Sequence, residues 1–233
     1  MNSNIYEKAN QIIKTCAAAY FGVIDENGFP SVSTVSVIKP ENIFETYFST
    51  NIGSNKEKRL SKNNRASICY RADGNNITLV GEADILTDQP TKSYYWLDWF
   101  IHHYSGGETD PNYCIIKFTT KRVSLWVDNE SAEFTTDELL TVQSRCGLLC
   151  KWCEYRKSHG CGGCVETKRN PSYCEPGTGC PIAKCCQGKG YAHCGECADM
   201  PCEQLRAYSC DDPEHGDKPP GARLAVCKAW ANK

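Results

Sequence analysis

The chain has no long apolar run and no excess of basic residues. Its first residues, MNSNIYEKANQIIKTC, contain neither a basic segment followed by an apolar core nor a stretch near the roughly 20 apolar residues that cross a bilayer. Lys and Arg number 14 against 18 Asp and Glu up to Arg145, and 12 against 10 beyond it, a balance that does not favour nucleic-acid binding. We therefore expect a cytoplasmic protein that acts neither in a membrane nor on nucleic acid.

Cysteine is scarce in the first part of the chain, and large aliphatic residues are scarce in the second. Only three of the 17 cysteines (Cys16, Cys69 and Cys114) precede Arg145, and the other fourteen lie between Cys146 and Cys227. That second stretch has just eight Val, Leu, Ile and Met residues, too few for an independent apolar core, so its cysteines must staple it together. The change in composition predicts two domains, residues 1–143 and residues 144–233.

The first 143 residues have the pattern of a helix followed by strands. Apolar residues at helical spacing predict an amphipathic helix over residues 4–18, and Asn27-Gly28 between two alternating runs predicts a hairpin. The fold class expected is α+β, mainly β, with an antiparallel split β-barrel, because closure removes exposed strand edges. Strands are predicted at 20–25, 29–38, 43–50, 65–72, 76–86, 112–120 and 123–128, with helical stretches at 54–63 and 90–103.

Four segments, taken in chain order, carry a resemblance to a known family: DENGFPSVSTVSV, YFSTNIGSNKEKRLSKNNRASICY, LVGEADIL and GGETDPNYCIIKFTTKRVSLW. Together they resemble the FMN-binding split barrel of the pyridoxamine 5'-phosphate oxidase-like superfamily, particularly its short bacterial general-stress-protein branch. The resemblance covers about residues 5–130. It implies FMN as cofactor, oxidoreductase activity on a small-molecule substrate, and a homodimer in which the partner subunit completes the flavin pocket.

In that family, the FMN phosphate lies at the end of the third strand and the start of the next helix. This chain has Ser49, Thr50, Ser54 and Lys56 there. Hydroxyl donors and an ammonium suit a phosphate dianion. From the residues alone, the alternative is that Ser54 only caps the helix. No G-x-G-x-x-G turn follows an early strand, which favours FMN over FAD.

Three further residues are candidate flavin contacts. Thr34 and Ser36 alternate along a strand, so they either face outward from the barrel or approach the isoalloxazine edge. Trp126 occupies the position at which the family's last strand approaches the flavin of the partner subunit. The substrate-gripping C-terminal segment of true pyridoxamine phosphate oxidases has no counterpart before the cysteines begin, so vitamin B6 oxidation is not expected.

Beyond Arg145 the cysteines come in close pairs. A C-x2-C pair forms the tight loop that brings two thiolates to one metal, whereas disulfides are rare in the cytosol. Cys186, Cys210 and Cys227 stand outside the pairs and are expected to be spare. The predicted metal ligands are Cys146, Cys150, Cys153, Cys161, Cys164, Cys180, Cys185, Cys194, Cys197 and Cys202.

The cysteine pattern from Cys146 to about residue 208 resembles a bacterial and archaeal cysteine-rich domain of unknown function, described only as a metal-binding module. Structural zinc and 4Fe-4S clusters both remain open. We favour two 4Fe-4S clusters, since clusters can pass single electrons between a ferredoxin-type donor and a flavin.

The hypothesis is therefore an FMN-dependent oxidoreductase with an iron-sulfur relay. The alternatives are a flavin reductase-like enzyme with structural zinc, or a non-catalytic flavin- and metal-binding sensor or adaptor.

Overall fold

The computed structural model describes residues 4–40, 42–153, 156, 158, 160–168, 178–213, 216, 217 and 220–232. The chain divides by contacts into two compact units, Ala9–Thr136 and Met1–Lys8 with Asp137–Lys233. We call them the barrel unit and the thiol unit. The domain boundary at 143/144 stays a prediction. No helix within the described ranges is long and apolar enough to cross a membrane.

The barrel unit consists of strands with short helices between them. The predicted amphipathic helix forms α1 (Asn4–Thr15), and the later helical stretches form α2 (Asn55–Leu60), α3 (Gln89–Tyr94) and a 3-10 turn over Asp98–His102. The strands are β1 (Ala18–Ile24), β2 (Pro30–Ser36), β3 (Glu45–Asn51), β4 (Arg65–Ala72), β5 (Asn75–Leu86), β6 (Tyr113–Val127) and β7 (Glu130–Thr135).

All the strand pairs are antiparallel. The order across the sheet is β2-β1-β4-β5-β6-β3, and β7 pairs with β6. The two ends of this order meet at a bridge between Ile38, just after β2, and Tyr47 of β3. The sheet thus curls back on itself, and the expected α+β class with a mainly antiparallel β-sheet is confirmed.

The last two predicted strands are in fact one strand, and the prediction was wrong here. The two predicted strands left Lys121 and Arg122 between them, yet β6 runs through both residues. The register shifts between Val80 and Gly81 of β5, so that Lys121 is accommodated as an extra residue and both basic side chains remain exposed. The final strand, β7, was not predicted.

Aromatic side chains fill the barrel interior. Alternate residues of each strand face inward, and Phe21, Phe48 and Phe118 are fully buried there. The Phe21 ring centroid lies 5.6 Å from that of Phe48 and 6.3 Å from that of Phe118. A second cluster, which we call the aromatic cover, packs under the 3-10 turn and consists of Ile38, Phe100, Tyr104, Tyr113 and Ile115.

The thiol unit is helical and cysteine-rich. Within the described residues, its helices include α4 (Thr136–Leu140), which begins at the last residue of the barrel unit, α5 (Pro181–Gly188), α6 (Glu203–Arg206) and α7 (Ala222–Ala231). Trp230 of α7 donates a 2.9 Å hydrogen bond from Nε1 to the Leu139 carbonyl. Three of the six residues in its buried core cluster are cysteines. The cluster comprises Cys146, Cys164, Cys180, Ile182, Ala183 and Leu205.

We predict that Gly81→Ala destabilises the barrel unit. A Cβ at Gly81 would lie 2.0 Å from the Thr119 carbonyl oxygen, and this backbone atom cannot move without disturbing the β5–β6 pairing. Overpacking of this kind costs about 1–3 kcal/mol or more. Chemical denaturation, followed through the aromatic near-UV signal, should show a clearly lower midpoint.

The matched control is Gly22→Ala on β1. Its Cβ would lie 2.8 Å from Ser67 Oγ, a side-chain atom that can rotate away. If the two variants lost equal stability, the backbone clash at Gly81 would not be the cause.

Candidate functional site

The end of β3 and the start of α2 bring two predicted hydroxyls together. Thr50 Oγ1 lies 3.2 Å from Ser54 Oγ, and Thr50 is buried. Ser54 also caps α2, because its Oγ accepts a 3.2 Å hydrogen bond from the Glu57 amide. Glu57 Oε2 in turn accepts from the Gly53 amide at 3.1 Å. The capping role that the sequence left open is therefore present, and it holds Thr50 and Ser54 side by side.

Lys56 is half-buried next to this pair in the chain. Its ammonium lies 5.9 Å from the ring centroid of Phe21, and burial lowers its pKa. Among the described residues, no carboxylate lies within ion-pair distance of it. By contrast, Arg59 on the same helix donates to Ser31 Oγ at 2.8 Å and pairs with Glu26 at 3.3 Å. A cation held out of water without a counter-charge is costly, so this position suits an anionic ligand.

Ser49 does not join this group. It precedes Thr50 on β3, and successive strand residues point to opposite faces. The Ser49 hydroxyl lies near Tyr104 of the aromatic cover, where burial raises the pKa of the Tyr104 hydroxyl. The structure thus brings Thr50, Ser54 and Lys56 to one end of the barrel and places Ser49 on the other face of the strand.

Thr34, Ser36 and Trp126 share the outer face of the sheet but lie on different strands, Thr34 and Ser36 on β2 and Trp126 on β6. Thr34 pairs with Tyr20 of β1, whereas Trp126 pairs with Asn76 of β5. In the sheet order, β1, β4 and β5 lie between β2 and β6. This face also exposes large apolar side chains, with Tyr20 at 53%, Val32 at 65% and Trp126 at 47% of full exposure.

The thiol unit contains two cavities lined by cysteines. Ser144, Arg156 and five cysteines line the first: Cys146, Cys150, Cys153, Cys161 and Cys164. Burial, and then the neighbouring thiols, raise the pKa of Cys150 to about 12, and burial raises that of Cys164 to about 11. The Gly163 amide donates to Cys161 Sγ at 3.4 Å.

The second cavity is lined by Lys189, Tyr191, Met200 and five other cysteines: Cys185, Cys186, Cys194, Cys197 and Cys202. Lys189 Nζ donates to Cys197 Sγ at 3.3 Å and to Asp199 Oδ2 at 2.9 Å. Burial raises the pKa of Cys194 and that of Cys186.

Arg145 connects the two cavities. Its amide donates to Cys164 Sγ at 3.2 Å, and its carbonyl accepts from the Cys194 amide at 2.8 Å. Burial raises the pKa of Cys164 and of Cys186, and the guanidinium opposes part of this increase, while its buried Nε has no hydrogen-bond partner among the described residues. A positive charge therefore lies beside both sets of thiols.

Nine of the ten predicted ligands line these cavities. Cys180 instead lies in the apolar cluster with Cys146 and Cys164, and Cys186, expected to be spare, lines the second cavity. Within the described part of the chain, no three His, Cys, Asp or Glu side chains converge tightly enough to hold one metal ion. His159 and Cys174 lie outside the described residues.

Buried His193 is a structural residue. Its Nδ1 accepts a 3.1 Å hydrogen bond from the Gly195 amide, and its ring packs edge-on against Trp230 with centroids 5.4 Å apart. Burial lowers its pKa, which keeps the imidazole neutral.

Each cavity is lined by the cysteine of a Cys-Gly step, Cys146-Gly147 in the first and Cys194-Gly195 in the second. The backbone of both steps packs against α7, a feature that the sequence pattern was not used to predict. A Cβ at Gly147 would lie 2.2 Å from the Arg223 carbonyl oxygen, and one at Gly195 would lie 2.1 Å from the Cys227 carbonyl oxygen. Arg223 and Cys227 are one helical turn apart. Both Cys-Gly turns therefore pack directly on neighbouring turns of the same helix.

We predict that Gly195→Ala opens the second cavity. The new methyl group would overlap a helix carbonyl that cannot move alone, so the turn must leave α7, at a cost of about 1–3 kcal/mol. Hydrogen exchange should accelerate in residues 181–211 but not in the barrel strands.

Gly188→Ala is the control, because a Cβ there would meet nothing within 4 Å and the residue belongs to α5. Alanine should be neutral or slightly stabilising at this position. Unchanged exchange in the Gly195 variant would contradict the packing argument.

Comparisons with known proteins match the two parts of the chain separately. Residues 5–141 match the family described as pyridoxamine 5'-phosphate oxidase like. Residues 155–207 match the family described as Protein of unknown function (DUF3795). A comparison with curated proteins gave no match.

Solved structures resemble the barrel unit. A Clostridium acetobutylicum protein related to general stress protein 26 of Bacillus subtilis is 25% identical with a TM-score of 0.55, covering 59% of this chain and 99% of its own. General stress protein 26 of Bacillus anthracis is 21% identical with a TM-score of 0.48, covering 55% and 98%. A haem binding protein of Mycobacterium smegmatis is 16% identical with a TM-score of 0.47, covering 57% and 58%.

Proposed function

The chain belongs to the pyridoxamine 5'-phosphate oxidase-like family, and on this premise we propose that it is an FMN-dependent oxidoreductase with an iron-sulfur electron relay. The barrel unit binds FMN, and clusters in the thiol unit pass electrons from a ferredoxin-type donor to reduce a small organic molecule. The observation that carries the proposal is that one chain joins a barrel of a typically flavin-binding family to two cavities lined by five thiols each.

Thr50, Ser54 and Lys56 are the residues proposed to hold the FMN phosphate. The half-buried ammonium of Lys56 lacks an anion among the described residues, and a phosphate would supply one. Each hydroxyl has one proton, so Thr50 and Ser54 can both donate to phosphate oxygens only by giving up their mutual hydrogen bond. The helix cap stays intact, because Ser54 accepts from Glu57 through a lone pair. A bound FMN would supply two-electron chemistry that can proceed in single-electron steps.

We further propose that the flavin pocket is completed in a homodimer. Thr34 and Ser36 face outward on β2 and Trp126 faces outward on β6, so a second copy of the chain can place its Trp126 over the β2 strand of the first. The exposed Tyr20, Val32 and Trp126 give this face the apolar surface that such a contact would cover.

The thiol unit has the donor chemistry that iron-sulfur clusters require. Four thiolates hold one cluster, and each cavity offers five cysteines. Thiols whose pKa is raised by burial stay neutral in the absence of metal, so metal binding would release protons and stabilise the fold at the same time. The Arg145 guanidinium and the Lys189 ammonium would offset part of the negative charge.

We predict that Lys56→Ala weakens FMN binding by about 10- to 150-fold, which corresponds to the roughly 1.5–3 kcal/mol of a charge-assisted contact. Flavin fluorescence titration of flavin-free protein measures the affinity. Lys58→Ala is the matched control, because Lys58 is exposed on the same helix and should leave the affinity unchanged. Equal affinities for the wild type and the Lys56 variant would rule out this phosphate site.

The relay is tested by metal analysis of protein purified without oxygen. We expect iron and acid-labile sulfide in equal amounts, together with a visible absorption spectrum that bleaches on reduction. Cys150→Ser should lose part of this iron, whereas Cys69→Ser in the barrel unit should retain all of it.

Zinc without iron would replace the relay with structural zinc in a flavin reductase-like enzyme. A haem spectrum without flavin would refute the FMN proposal. A protein that contains flavin and metal but shows no turnover with artificial electron donors would be a sensor or adaptor.

A further inference from the structure

We propose that the second cavity binds its metal through Cys186, Cys194, Cys197 and Cys202, and that the adjacent Cys185 is a free surface thiol. The assignment rests on the proposed function, since it presupposes that the cavity binds metal. It differs from the expectation based on spacing, which made Cys185 a ligand and Cys186 spare.

The geometry of α5 separates the two neighbouring cysteines. Consecutive residues of an α-helix point about 100° apart, so both cannot aim into the same cavity equally well. Cys186 is only 3% exposed and continues the buried stripe formed by Ile182 and Ala183. Cys185 is exposed, as is Lys184 before it. Cys185 therefore lies at the mouth of the cavity and Cys186 within it.

Contacts at the end of α5 hold the Cys186 thiol in the second cavity. Cys186 and Cys194 both line this cavity. Cys186 Sγ also donates to the Tyr191 carbonyl at 3.4 Å, and the Tyr191 amide donates to the Cys186 carbonyl at 3.1 Å. The Cys186 sulfur is thus fixed beside the C-x2-C pair that begins at Cys194.

The remaining ligands follow from the turn after Cys194. A 3-10 turn over Cys194–Glu196 lets the Cys197 amide donate to the Cys194 carbonyl at 3.1 Å, which gives the compact C-x2-C loop. Cys202 is the N-cap residue of α6 and lines the same cavity. With Cys186 and without Cys185, four thiols line the cavity, the number that a single cluster or a tetrahedral zinc ion needs, and they would have to draw together around a bound metal.

Nearby positive charges favour this set. Arg145 Nη1 and Cys186 Sγ both donate to the Tyr191 carbonyl, each at 3.4 Å, and the buried Arg145 Nε has no acceptor among the described residues. Lys189 Nζ donates to Cys197 Sγ. Two of the four proposed ligands thus have a cation beside them, which would stabilise their thiolate forms.

The first test compares two neighbouring substitutions, Cys185→Ser and Cys186→Ser, by iron, sulfide and zinc content after anaerobic purification. Cys185→Ser should keep the metal content of the wild type. Cys186→Ser should lose about half of it, because the first cavity is unchanged. Loss of metal in the Cys185 variant, with none in the Cys186 variant, would overturn the assignment.

The second test uses the wild-type protein, so it identifies the ligands even if Cys186→Ser fails to fold. Metal-loaded protein is treated with iodoacetamide, and its peptides are mapped before and after removal of the metal under denaturing conditions. Cys185 should be alkylated in the loaded protein, whereas Cys186, Cys194, Cys197 and Cys202 should react only after the metal is removed.

Protection of Cys185 in the loaded protein, with Cys186 alkylated, would refute this ligand set while leaving the metal relay intact. Wild-type protein that contains no metal would refute both the relay and the ligand set, so the two failures can be told apart.

Discussion

Contact between the two Cys-Gly turns and α7 organises the thiol unit. The backbones of Gly147 and Gly195 approach the Arg223 and Cys227 carbonyls so closely that no side chain fits between them. The positions of both cavities follow from this, since each Cys-Gly step begins a run of cysteines that lines one cavity. The helix is itself anchored by buried Asp217, whose Oδ1 accepts from Arg223 Nε at 2.7 Å. One helix thus holds both sets of thiols in place.

The same unit depends on its thiols because it has few other apolar groups. Cysteine packs as a small hydrophobic residue when neutral, and it becomes a metal ligand when deprotonated. Burial favours the neutral form at Cys150 and Cys194, whereas Arg145 and Lys189 favour the charged form nearby. A unit built in this way forms a compact core around its thiols, and the metal binding proposed above would change its charge.

The barrel unit is stabilised differently from the thiol unit. Buried aromatic rings and a nearly closed sheet stabilise it, and this stability can offset the cost of holding the Lys56 ammonium partly away from water. Functional sites commonly include such locally unfavourable groups. The capping of α2 by Ser54 and the binding role proposed for the same hydroxyl are compatible, because the cap fixes the hydroxyl at the site.

The sequence by itself determined the alternation of the barrel strands, down to the bounds of β4, and the concentration of metal-type ligands after Arg145. These features depend on short-range periodicity and on side-chain chemistry, which the order of the residues specifies directly. Only the tertiary structure decided that Lys121 continues β6 as an extra residue, that Ser49 and Thr50 face different environments, and that Cys186 lies deeper than Cys185. Each of these depends on which distant segment packs against the residue, such as β5 against β6 or the Cys194 turn against α5. Residues close in sequence cannot encode that choice alone, because a shift of one position reverses the face of a strand or turns a helical side chain by about 100°.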